Sequence, residues 1–186
     1  MIEPKEIKID PKSGALKPCD NHIIRRLSNV QGVFYDQDAA EKMLAEGDRI
    51  IYEVCESHYP EEPGHLKFST TILYPGKVGD EYFITKGHYH EVRNTAEFYY
   101  GLSGKGMMLM ENERGDFKAM EISEGIVVYV PPLYAHRAAN TGDKNLIILC
   151  VYPADAGHDY DTIEKAGFKK RAVERNGKVE LVEIKA

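Results

Sequence analysis

The sequence predicts an all-β fold, a sandwich or barrel, and three observations carry that prediction. From Ile50 onward, short runs rich in β-branched and aromatic residues recur, separated by Gly, Pro, Asn and Asp. The runs fall near 50–55, 68–74, 81–90, 96–103, 105–111, 117–122, 126–130, 135–140 and 145–152. That spacing suits consecutive antiparallel strands and leaves no room for crossover helices. Further on, Asn176-Gly177 separates two alternating segments, 170–175 and 178–184, which is a two-residue hairpin signal.

A chain of 186 residues is one domain's worth, and no repeat, low-complexity tract or linker divides it. The expected layout is a single domain, 1–186, with a core barrel at about 50–152. An N-terminal arm, 1–49, precedes the barrel, and an extension, 153–186, follows it. Residues 1–35 read as irregular apart from a short strand candidate at His22–Leu27. Gln37–Ala45 reads as a helix stopped by Gly47, and Asp159–Ala166 as a second short helix.

The net charge is −6, with both signs interspersed and no basic stripe, which argues against a nucleic-acid partner. An anionic substrate would therefore need local donors to offset the global field. The first ten residues, MIEPKEIKID, contain no apolar segment. The longest apolar run, Leu146 to Tyr152, is far short of the roughly 20 residues that span a bilayer. A cytoplasmic protein without a membrane partner is expected. Cys19, Cys55 and Cys150 are isolated and read as reduced, partly buried thiols. Twelve tyrosines and no tryptophan suit a site for hydroxylated ligands, and equally suit walls and interfaces.

The chemistry concentrates in Gly87-His88-Tyr89-His90 and Glu97. Residues spaced i, i+2 on a strand point to one face, so His88 and His90 project side by side. Glu97 opens the next strand candidate, and His136 enters another beyond Pro131-Pro132. Three imidazoles and one carboxylate suit a divalent Fe, Mn, Ni, Co or Zn ion. They resemble neither a thiolate zinc site nor an all-oxygen calcium site. Four protein ligands on a six-coordinate ion would leave two positions open. His22, His58 and His65 have no such setting.

These residues resemble the two motifs of the cupin superfamily. His88-x-His90, Glu97 and Gly104 form the first; Gly125, Pro131, His136 and Asn140 form the second. Leu133 stands where cupins usually have glycine, Tyr82 stands where another glycine is usual, and the His90–Glu97 gap is longer than common. Further stretches resemble the archaeal-type, cupin glucose-6-phosphate isomerases: LYPGKVG at 73–79, TKGHYH at 85–90, AEFYY at 96–100, VVYVPP at 127–132, AHR at 135–137 and YPADAGHDY at 152–160.

The resemblance implies a cupin barrel (double-stranded β-helix, or jelly roll) with an N-terminal arm, short helices and a C-terminal hairpin. It also implies a homodimer that interconverts glucose 6-phosphate and fructose 6-phosphate with one divalent metal per subunit, iron first among the candidates. Two routes are open: proton transfer through a cis-enediolate with Glu97 as base, or a hydride shift that needs no base. Tyr99, two residues beyond Glu97, shares its inward face and could donate to a sugar oxygen or simply fill the barrel. His158 is implied in ring opening or hydroxyl binding. Phosphate donors implied by the family are Thr71, Thr85, the Gly87 backbone, Tyr52, Tyr152 and Tyr160.

Strict alternation puts Thr85 and His88 on opposite faces. A bulge at Gly87 would reset the register; without one, Lys86 is the better anion partner. The rival readings are a cupin dioxygenase and a non-enzymatic sugar-binding cupin.

Overall fold

A computed structural model describes residues 3–183. The chain opens with a ribbon of β1 (Lys8–Ile9) and β2 (Leu16–Lys17), then β3 (Asn21–Arg26). One turn of helix, α1 (Leu27–Val30), a 3-10 turn (Gln31–Val33) and α2 (Gln37–Glu46) follow. Asp36 caps α2 by accepting the Ala39 N–H at 2.9 Å, and Gly47 ends it.

The strands then succeed one another: β4 (Ile50–Ser57), β5 (Leu66–Leu73), β6 (Lys77–Val78), β7 (Glu81–Tyr82), β8 (Glu97–Ser103) and β9 (Lys105–Asn112). Next come β10 (Phe117–Ser123), β11 (Val127–Val130), β12 (Tyr134–Asn140) and β13 (Leu146–Pro153). The short helix α3 (Asp161–Ala166) leads into the hairpin β14 (Lys170–Arg175) and β15 (Lys178–Glu183).

Every paired strand is antiparallel. One sheet runs β11-β8-β13-β5-β4-β3, a second β10-β9-β12, and a third β15-β14-β7-β6. The first two face each other across the core, where Met108 and Met110 of β9, Ile122, Val128 and Ile148 are buried. Strand periodicity decides which side chains go in. On β8, Glu97 and Tyr99 are buried while Phe98 between them is 37% exposed. The expected all-β class therefore stands.

The hairpin turn is as its sequence requires. Asn176 (φ 53°) and Gly177 (φ 70°) both take positive φ, the pattern of a type I′ turn. Ile184, the last residue of the expected 178–184 segment, lies outside the described residues.

Four expectations need correcting. Residues 81–90 are not one strand: β7 ends at Tyr82, and only single bridges at Ile84, His88 and Tyr89 continue the ladder. The helix expected from Asp159 starts at Asp161, because Asp159 is held in a bridge to Tyr89. The barrel does not begin at about residue 50, since β3, where the His22–Leu27 strand candidate falls, pairs with β4 as the edge of the largest sheet. Finally, Cys19 and Cys55 are not free thiols. With β3 laid along β4, His22 pairs with Cys55, and the chain just before β3 brings Cys19 to a Cα–Cα distance of 5.6 Å. The two form a disulfide, a closure that 36 residues of separation conceal. Cys150 remains a buried thiol.

Candidate metal centre

The segment Phe83–His90 lies against β12 in two registers. Thr85 donates its N–H to Ala138 O at 2.9 Å, and Asn140 donates to Phe83 O at 2.9 Å. Further on, His88 and His136 exchange both backbone bonds, at 3.3 and 3.1 Å. Between these pairings, Lys86 and Gly87 stand opposite Arg137 alone. One extra residue on one strand is a β-bulge.

Gly87 makes it possible by taking φ 78°. A Cβ there would also lie 3.0 Å from the Phe168 ring and 3.1 Å from Arg137 Cβ and Nε. The bulge brings Thr85 to the same cavity as His88, which removes the conflict that strict alternation posed.

The ligand atoms of His88, His90, Glu97 and His136 lie within 4.8 Å of one another. Glu97 Oε2 is 3.1 Å from His90 Nε2 and 2.9 Å from His136 Nε2. The far sides of two rings are fixed. His136 Nδ1 faces Tyr134 O at 3.2 Å; His90 Nδ1 faces Thr95 O at 3.2 Å and Thr95 Oγ1 at 2.8 Å. A carbonyl oxygen only accepts, so Nδ1 carries a proton in both rings and Nε2 is the atom aimed into the cluster.

Burial is nearly complete, with His90, Glu97 and His136 each no more than 5% exposed. His88 Nε2 and His136 Nε2 are buried without a hydrogen-bond partner. Orphaned buried atoms of this kind cost about 1–3 kcal/mol each. A divalent ion amid the four ligands would satisfy both, so the donor set fits the group that the spacing implies.

The electrostatics agree. Burial holds the His88 imidazole well below its ordinary value, so it is neutral at pH 7. Burial also pushes the Glu97 carboxyl up, but His136 and His90 more than offset this and hold it at about 2. Neutral imidazole and ionised carboxylate are the forms that ligate metals.

The other residues singled out by sequence gather around the cluster. Tyr52, Thr71, Thr85, Gly87, Tyr99, Tyr152, His158 and Tyr160 all line one cavity with His88, Glu97 and His136. The stretch 152–160 reaches the site because Tyr89 and Asp159 exchange backbone bonds at 3.1 and 2.8 Å. An ion pair between Arg93 and Asp159 ties the same loop down. His158 is stacked on Tyr160 with ring centroids 5.8 Å apart, and it lies 4.5 Å from the His88 ring. Burial lowers His158 and pushes Tyr160 up to about 12. Tyr99 is driven well above its ordinary value by burial and by the Glu97 charge, so its hydroxyl stays protonated.

Sequence reading missed Arg25 and Glu56, which also line the cavity. For Glu56 the signal was available, two alternations beyond Tyr52 on β4; Arg25 is reached only through β3 pairing with β4, which sets it across from Tyr52.

A family model described as glucose-6-phosphate isomerase matches residues 24–185. The chain belongs to the glucose-6-phosphate isomerase family. Among its relatives of that name, the Thermococcus litoralis protein is 50% identical over 95% of this chain and 93% of its own length. The Pyrococcus abyssi protein is 48% identical over 97% and 95%, and the Sinorhizobium medicae protein 40% identical over 90% and 78%. A solved structure of oxalate oxidase superposes with TM-score 0.50 at 13% identity, covering 61% of this chain and 56% of that one. This likeness concerns the fold alone, an antiparallel β-barrel. Family membership makes the chain an isomerase and removes the ground for reading it as a dioxygenase or a binding-only cupin.

Proposed function

We propose that the chain interconverts glucose 6-phosphate and fructose 6-phosphate, with a divalent ion, iron first, held by His88, His90, Glu97 and His136. The observation that carries this is the convergence of four ligand atoms within 4.8 Å inside a cavity lined with hydroxyls. When bound, the ion supplies a Lewis acid for the two neighbouring sugar oxygens whose carbons exchange hydrogen.

The chain's own groups divide the remaining work. Both imidazole contacts of Glu97 fall on Oε2, which leaves Oε1 for a second task. Oε1 takes the proton from C2 of the aldose and returns it to C1, on one face of the sugar, while the O2 hydroxyl proton passes to O1. The protonated Tyr99 hydroxyl donates to a sugar oxygen beside it. His158 is neutral and at the cavity wall, suited to exchange the hydroxyl proton that ring opening moves. Thr71, Thr85, the Gly87 N–H, Tyr52, Tyr152 and Tyr160 hold the substrate's phosphate and hydroxyls by hydrogen bonds.

The enzyme works as one domain and as a homodimer in the cytoplasm. The single core cluster running from Leu27 to Ala172 supports the first point. An apolar outer face formed by Phe98, Val127 and Tyr129, the last two 58% and 60% exposed, supports the second. The third draws support from the phosphorylated substrate; no helix of the described residues is long and apolar enough to cross a membrane.

Glu97→Gln tests the assignment. It keeps one ligand oxygen and abolishes the base, so kcat is expected to fall by about 100-fold or more while metal content falls far less. Equal loss of metal and turnover would make Glu97 a ligand only.

A further inference from the structure

The hydroxyl and amide donors assigned to the phosphate are all neutral, and a phosphate monoester carries close to two negative charges at pH 7. The chain itself is at −6, and Glu56 and Glu97 add carboxylates to the cavity wall. Moving a dianion from water into such a site is costly unless a cation meets it.

The wall holds two permanently charged cations, Arg25 and Lys86. Lys86 is already engaged: it pairs with Glu164 and lies 4.7 Å over the Tyr160 ring. Arg25 has no acidic partner among the described residues, although it is half-buried.

Its position is specific. Arg25 stands directly across the ladder from Tyr52, and immediately beyond this pair the β3–β4 register slips by one residue. Such irregularities occur at barrel rims, where they re-aim a side chain. Arg25, Tyr52, Thr85, Lys86 and Gly87 line the same cavity. Lys86 is the first residue of the Gly87 bulge, so Arg25 shares that cavity with the turn of backbone that carries Thr85 and the Gly87 N–H.

We propose that Arg25 is the charged anchor for the substrate's phosphate and sets the preference for phosphorylated over free sugars. This rests on the isomerase reading above. A guanidinium offers a planar fork that matches two phosphate oxygens, which neither tyrosine nor threonine can do.

The test compares Arg25→Ala, Arg25→Lys and Arg114→Ala with the native enzyme. The readouts are KM for fructose 6-phosphate, the inhibition constant of inorganic phosphate, and bound metal. Arg114 is an exposed cation outside the site and controls for loss of one charge. For Arg25→Ala, KM and the phosphate inhibition constant are expected to rise together by about 10- to 100-fold, with a smaller fall in kcat and metal content retained. Arg25→Lys should recover part of that loss, and Arg114→Ala should show none of it.

A phosphate inhibition constant within twofold of native in Arg25→Ala would overturn the proposal, as would an equal rise in Arg114→Ala. If Arg25→Ala fails to hold metal, Arg25→Gln replaces it under the same two outcomes. A native chain that binds phosphate through Arg25 yet turns over no sugar phosphate would sink the isomerase reading and, with it, the role of Arg25 in substrate preference, leaving only an anion site at Arg25.

Discussion

The Nδ1 atoms of His90 and His136 turn a row of imidazoles into a ligand set. Each is fixed by a nearby backbone carbonyl, from Thr95 and Tyr134, so each Nε2 is committed inward before any ion arrives. The i, i+2 spacing and the following glutamate were legible in the sequence because they need only strand geometry. The roles of Thr95 and Tyr134 were not, since they depend on how a turn and a strand start approach a ring. Burial gives these residues a pH signature. His88 and His158 both titrate below 6.5 in the folded chain, so between those lower values and 6.5 the unfolded chain binds more protons. Their stabilising contribution is therefore complete above 6.5 and is lost as pH falls below it. Glu97 acts separately: its contribution is present above 4.5 and is lost only as pH falls towards 2. Metal-free protein should show a Tm at pH 5.0 lower than at pH 7.5 by at least about 2 °C, the shift of a 1 kcal/mol loss in a chain of this size. His158→Gln should make the slope shallower. A Tm that rises on acidification would contradict the assignment.

Among the elements, the bulge at Lys86-Gly87 does the most to build the pocket. It lets two residues three apart, Thr85 and His88, face one cavity, which a regular strand forbids. Gly87→Ala should cost about 1–3 kcal/mol: the left-handed backbone alone accounts for roughly 1–2 kcal/mol, and Phe168 and Arg137 crowd the new methyl. A thermal melt reads this as a loss of several degrees, and kcat/KM should fall with it. An unchanged melt would mean the bulge is not conformationally demanding. The glycine flagged a possible bulge in the sequence, but the break of 81–90 into separate bridges was not legible, because it arises from pairing with β12. Leu133 carries a related lesson. It stands where cupins usually have glycine, and the chain still adopts φ 72° there, so the turn is imposed by its surroundings. The Cys19–Cys55 closure was hidden for the same kind of reason: it follows from β3 lying along β4, and a strand candidate at His22–Leu27 does not say which strand it joins.

At the scale of the molecule, two antiparallel sheets close around a polar cavity, in a chain whose net charge is −6. The layout of strands from Ile50 to Pro153 was legible, since alternation and turn residues repeat throughout. The reach of the barrel into the arm was not, and with it went Arg25, which alternation on β3 places opposite Tyr52. What unites the site is a donor set that meets a divalent ion at one end and a sugar phosphate around it. The most direct measurement is a coupled assay of fructose 6-phosphate conversion to glucose 6-phosphate, with metal content followed in parallel. Native enzyme should turn over, lose activity to below about 1% when chelation strips the metal, and regain it on adding a divalent ion. Undiminished turnover by protein shown by elemental analysis to hold no metal would contradict a metal-dependent isomerase.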